Sequence, residues 1–220
     1  MHETPALEKT LSPDTALACG VRELDITLIR ATNYTDDGYP IQMRVGVIRS
    51  NTLTQMGTLA RDLPSYPFFA GLPITVRLVD EAIQRVPAKE IMRRSREPGV
   101  KTIVMLVGVQ SNQFPRAQDI ASWFLPHHIP VMIGGFHVSG MLAMVGLTRD
   151  LRDAMCRGMI LVAGEVEGER LPAIVEDVRP FLERSQDTAL LTRENLRGLL
   201  RPGPGEQEES QNRRPGNSAV

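Results

Sequence analysis

Five short apolar, β-branched runs, separated by segments with helical spacing, constrain this chain more than any other feature. The runs cover residues 24–29, 74–79, 103–109, 130–133 and 159–163. Each has the length of a buried strand. Residues 51–63 place Leu53, Met56, Leu59, Ala60 and Leu63 on one helical face, with Ser50 or Asn51 as the N-cap. Residues 87–96 open with Pro87, which suits an early helical position. Residues 116–125 gather Ala117, Ile120, Ala121 and Phe124, and residues 169–178 gather Leu171, Ile174, Val175 and Val178. Strands alternating with helices predict an α/β fold whose mostly parallel sheet is covered on both faces. Five strands suit the doubly wound, flavodoxin-like order 2-1-3-4-5. A barrel of eight strand–helix units needs more than the 220 residues here.

The rest of the chain divides around that pattern. Residues 1–22 read as an N-terminal tail, 23–180 as the Rossmann-like domain, and 181–200 as a helical extension. The extension's apolar face is Leu190, Leu191, Leu196, Leu199 and Leu200. Residues 201–220 turn to Pro, Gly, Glu, Gln, Asn and Ser, and cannot bury enough apolar surface to order themselves. A net charge of −1 leaves no basic footprint for nucleic acid. No apolar run is long enough to span a membrane, and the first residues lack a secretory pattern. Cys19 and Cys156 fit no metal or redox spacing, and read as free thiols of a cytoplasmic protein.

In an open α/β sheet, ligands bind at the carboxyl ends of the strands. The loop after the first run, residues 30–40, is long and polar and carries Asn33 and Tyr34. The loop after the third holds Gln110, Ser111, Asn112 and Gln113, which suit a neutral polar ligand or cap the next helix. The fourth run ends in a loop over residues 134–140. There Gly134 and Gly135 let another molecule approach the main chain, and His137 follows. His137 reads as a hydrogen-bonding group for ligand or loop before it reads as a metal ligand, because no Cys, His or acid stands at metal spacing. The fifth run exits through Gly164, with Glu165 and Glu167 placed to cap the following helix. The acids disfavour a phosphate pocket there, and no phosphate-cradling glycine loop is present.

The set Gln110-Ser111-Asn112, Gly134-Gly135-Phe136-His137 and Gly164-Glu165-Val166-Glu167 resembles the cobalamin-binding domain that precedes the barrel in many cobalamin-dependent radical SAM proteins. The segment from Leu28-Ile29-Arg30 through Asp36-Asp37-Gly38-Tyr39 to Ser50-Asn51-Thr52-Leu53 is similar to that family's start. The resemblance covers residues 23–180 and implies a Rossmann-like sheet whose carboxyl rim packs on one face of a corrin. It implies that Ser111, Gly134 and Gly135 contact the cofactor's lower side. Gln110, Asn112, His137, Asn33 and Tyr34 are expected as further rim contacts. On this reading Gly135→Leu abolishes corrin binding and leaves the fold intact.

Two departures shape the expected role. The family branch that ligates cobalt through histidine carries DxHxxG after the first strand, and here that loop holds Asn33-Tyr34-Thr35-Asp36-Asp37-Gly38. The CxxxCxxC of an iron–sulfur cluster is missing, and no barrel follows residue 180. The expectation is therefore a cobalamin-binding module with no iron–sulfur cluster of its own, serving a separate radical SAM or methyltransferase partner. The alternatives are a cofactor-free interaction domain that docks a partner through residues 181–200, and an enzyme using Glu165 or Glu167 with His137 as acid and base.

Overall fold

A computed structural model describes residues 21–43 and 50–183, with side chains placed to residue 178. The expected helical extension and both tails lie outside these residues, apart from the first few positions of the extension and the last two of the N-terminal tail.

Five parallel strands form one sheet in the order β2-β1-β3-β4-β5, as the alternating pattern predicts. They are β1 (Glu23–Arg30), β2 (Ile74–Asp80), β3 (Val100–Leu106), β4 (Val131–Gly134) and β5 (Ile160–Val162). The helices are α1 (Asn51–Arg61), α2 (Ala88–Arg94), α3 (Phe114–Phe124), α4 (Phe136–Met144), α5 (Arg149–Cys156) and α6 (Arg170–Glu183). Strand β1 pairs with β2 and β3 on its two sides, Ile26 standing against Val76 and Ile103. The chain therefore winds outward in both directions from β1 and β3, and leaves a crevice where it reverses.

Side chains alternate across the sheet, so each strand feeds two cores. Leu24, Ile26 and Leu28 of β1 pack with Leu53, Met56 and Ala60 of α1 and with Leu171, Ile174 and Val175 of α6. Ile29 faces the other way, into a core with Ile91 of α2, Ala117, Ile120 and Phe124 of α3, and Leu151 and Ala154 of α5. Burial on both faces explains why the strand runs read as nearly continuous apolar stretches. Ser50 caps α1 as expected, its Oγ accepting from the Leu53 N–H at 3.2 Å. Pro87 stands at the N-cap position of α2, just outside it.

Residues 134–140, expected to be a loop, are not one. Helix α4 begins at Phe136, directly after Gly135. Its sequence, FHVSGMLAM, is apolar on nearly every side, so it carries no 3.6-residue stripe to announce a helix. Helix α5 was likewise not expected. It spans only 8 residues, with Leu151 and Ala154 as its buried positions.

Candidate functional site

A cavity of about 610 Å³ opens at the carboxyl rim, next to the crevice where the winding reverses. Its size is ordinary for a small-molecule site. Thr52, Gln55, Met56 and Leu59 of α1 form one wall. Met105 and Met132 lie on its floor, and Leu171 and Ile174 of α6 close its depth. Phe136, Ser139, Gly140 and Ala143 of α4 form the opposite side, with Glu165, Val166 and Glu167 at the lip. Three methionines give the walls adaptable, polarizable surface. Among the described residues, the only charged side chains lining the cavity are the two glutamates. Glu167 accepts from the Gln55 amide, so the β5–α6 loop is tied to α1 across the opening. It does not cap α6. On the other side, the Ser139 Oγ accepts from the Gly164 N–H at 2.9 Å and joins α4 to the same loop.

The two glycines after β4 have different jobs. Gly134 lines the cavity, and a Cβ there would stand 3.3 Å from the Val162 carbonyl oxygen. Gly135 also borders the cavity, but a Cβ there would come within 2.2 Å of the Val109 nitrogen. Its φ of 137° is one that L side chains rarely adopt. The Val109 N–H donates to the Gly134 carbonyl and the His137 N–H donates to the Val109 carbonyl, both at 3.0 Å. What approaches Gly135 is thus the protein's own β3–α3 loop. The expectation that Gly135→Leu spares the fold is overturned by that backbone contact.

The β3–α3 loop, closed by this contact, presents Ser111 at an exposed position. His137, in the first turn of α4, is buried beside it. Its Nδ1 lies 3.1 Å from the Ser111 Oγ and its Nε2 lies 3.0 Å from the Asp150 Oδ2 on α5. The Thr148 hydroxyl donates to the other Asp150 oxygen. That hydrogen bond above all, aided by the Leu151 N–H and by His137, holds the Asp150 carboxyl below its usual range. The Phe114 ring packs on the imidazole with centroids 4.1 Å apart. Ionised Asp150 can only accept, so the ring proton sits on Nε2. In the neutral ring Nδ1 then accepts the Ser111 proton.

The remaining expected residues separate into two groups. Gln110 lines the cavity, and its N–H donates to the Gln113 Oε1 at 3.0 Å, which braces the loop. Gln113 occupies the N-cap position of α3 without capping it through its side chain. Asn112 is exposed beside Ser111. Asn33 and Tyr34 do not line the cavity. The Tyr34 hydroxyl donates to Asp119 and accepts from Arg116 Nη1 at 3.1 Å. Burial, followed by the Asp119 hydrogen bond, pushes the Tyr34 phenol above its ordinary range. Arg116 also lies over the Trp123 ring at 4.9 Å and donates from Nε to Glu81 Oε1 at 3.0 Å. The β1 loop is thereby anchored to α3 on the far face of the sheet.

The acid–base pairing of His137 with Glu165 or Glu167 is not formed, because both ring nitrogens are engaged elsewhere. Sequence reasoning missed Asp150, Ser139, Thr52 and Gln55 as site residues. Only the last two carried a signal, as polar positions in the first turns of a helix at the rim. Among the described residues, no group of three or more His, Cys, Asp or Glu is placed to hold a metal ion. No helix among them is long and apolar enough to cross a membrane. Compared with known protein families, curated proteins and solved structures, the chain matches none.

Proposed function

We propose that this chain is a cobalamin-binding module that presents its cofactor to a separate radical SAM or methyltransferase partner. The observation that carries this reading is the apolar slot between α1 and the β5–α6 loop, opening beneath Gly134 at the carboxyl rim. Three features of the site fit a corrin with an appended base. The slot is deep and walled by Met and Leu side chains, which suits an uncharged flat group. The rim beside it carries Gln110, Ser111 and Asn112, neutral groups that match primary amides without burying an unpaired charge. Gly134 lines the cavity without putting a side chain into it.

The residues that would hold the group are Gly134, Gln110 and Ser111 at the rim, with Thr52, Gln55 and Phe136 around the opening. Bound cobalamin supplies a cobalt centre for group transfer, and the protein supplies binding and orientation. His137 is not free to ligate cobalt, since both its nitrogens are hydrogen-bonded. His127 and His128 lie in the turn before β4, at the opposite end of the sheet. No described imidazole at the carboxyl rim would therefore be free to ligate cobalt.

The test is an absorption spectrum of the full chain after incubation with hydroxocobalamin and desalting. The expected outcome is a retained, stoichiometric corrin spectrum without the signature of a protein imidazole on cobalt. A colourless protein that remains folded by circular dichroism sinks the reading and leaves the cofactor-free interaction domain.

A further inference from the structure

The Ser111–His137–Asp150 line has a direction, and that direction says what kind of group can rest on Ser111. Asp150 is an acceptor on both oxygens, taking one proton from Thr148 and facing the His137 Nε2 with the other. The imidazole is consequently fixed in one tautomer, with its lone pair on Nδ1 pointed at the Ser111 Oγ, 3.1 Å away. The Phe114 ring, with its centroid 4.1 Å from that of the imidazole, restrains the plane of the ring and with it the direction of that lone pair. The single proton of the hydroxyl is committed to His137. Ser111 is exposed and does not itself line the cavity, but it follows Gln110, which does, so its remaining lone pairs are open to a group that overhangs the rim.

A serine on a rim ordinarily offers either a donor or an acceptor, whichever a ligand requires, because its hydroxyl rotates freely. Here the rotation is removed. We propose that Ser111 is a specificity-determining acceptor, oriented by His137 and Asp150, that selects a ligand edge bearing an N–H and rejects a carboxylate. The inference rests on the cobalamin reading and deepens it. The site takes the fully amidated corrin and discriminates against corrins in which the facing side-chain amide is an acid. His137 and Asp150 are positioning residues in this scheme, touching Ser111 and one another but not the ligand.

The experiment titrates the full chain at pH 8 with hydroxocobalamin, and then with corrins in which one side-chain amide at a time has been hydrolysed to the carboxylate. The parent is expected to bind about tenfold more tightly than one of the acids, the scale of a single lost hydrogen bond together with like-polarity repulsion. That ratio should fall close to one in Ser111→Ala. It should also shrink in Asp150→Asn, which leaves Ser111 in place but frees the imidazole to adopt either tautomer. A merely structural role for Asp150 would weaken parent and acid equally and leave the ratio unchanged. Equal binding of all the acids and the parent, or a ratio that survives in Ser111→Ala, overturns the inference while cobalamin binding stands. No retained corrin of any kind overturns both.

Discussion

The two halves of one sheet treat buried polar groups in opposite ways. At the carboxyl rim, Ser111, His137, Asp150 and Thr148 form a continuous chain, and Arg116 is joined to Glu81 and Tyr34. Under α2, nearer the amino ends of the strands, the opposite holds. Asp25, Thr27 and Thr102 are buried on the face that α2 covers, and their side-chain oxygens have no hydrogen-bond partner in the described protein. The register places Asp25 beside Thr102, and Thr27 beside Arg77, whose Nη1 is also unpartnered. The nearest cation to Asp25 is the Arg94 Nε, at 4.0 Å. Burial accordingly pushes the Asp25 carboxyl above its usual range, whereas hydrogen bonds hold that of Asp150 below it. Unpaired buried groups cost stability, and paired ones fix geometry. The rim is the end where geometry has been fixed, which is where a ligand site needs it.

The largest effect comes from breaking the rim itself. Gly135→Ala places a Cβ against the Val109 nitrogen at 2.2 Å, in a backbone conformation alanine resists. The β3–α3 loop must move, and Ser111 and Gln110 move with it. We expect a loss of about 3 kcal/mol in stability, read from the urea midpoint. A variant as stable as the parent would mean that this contact does not hold the loop.

The fold was legible because each buried strand wrote an apolar run, and because the helices covering it carried 3.6-residue stripes. Helix α4 escaped because it sits between the apolar slot on one side and Val138, Met141 and Leu142 against the core on the other. With apolar groups all round it has no polar face to reveal its period. The site was half legible. Ser111 and His137 stood out in their loops, but Asp150 lies in a different helix, and nothing in its local sequence ties it to an imidazole. Tyr34 looked like a rim contact because aromatic loop residues often are. What decides its place is Arg116, a cation buried on α3 that draws the phenol to the far face. Gly135 was read for what it lets in from outside, when the approaching chain was the protein's own.

The orphaned cluster sharpens the contrast with a stabilising substitution. Burial holds the folded Asp25 carboxyl above its ordinary value of 3.8. Below that pH both folded and unfolded states are protonated and nothing is lost. As pH rises past it the unfolded chain ionises first, so stability falls until the folded pKa has been passed. Asp25→Asn removes that penalty. We expect it to stabilise the protein at pH 7 by about 1–3 kcal/mol, the scale of an uncompensated buried polar group. The gain should disappear near pH 3. A variant that is less stable at pH 7 would show that Arg77 and Arg94 repay the burial of the carboxylate.

The smallest effect tests the other aspartate, and its pH dependence must run the other way. Asp150 has a folded pKa below 3.8, so its contribution is fully present above that value and is lost as pH falls through the folded pKa. Asp150→Asn should therefore be the less stable protein at pH 7, and the difference should close below pH 3.8. With 45% of its side chain exposed, solvent screens the pair with His137, and the loss should be under about 1 kcal/mol. Urea unfolding of both aspartate variants from pH 3 to pH 7 reads the two effects in one series. A deficit in Asp150→Asn that ignores pH would mean that the carboxyl's shape, not its charge, holds His137. The tautomer would then be set by packing against Phe114 instead, and the direction of the Ser111 proton would no longer depend on Asp150. Opposite slopes for Asp25→Asn and Asp150→Asn are what the contrast between an orphaned carboxyl and a paired one requires.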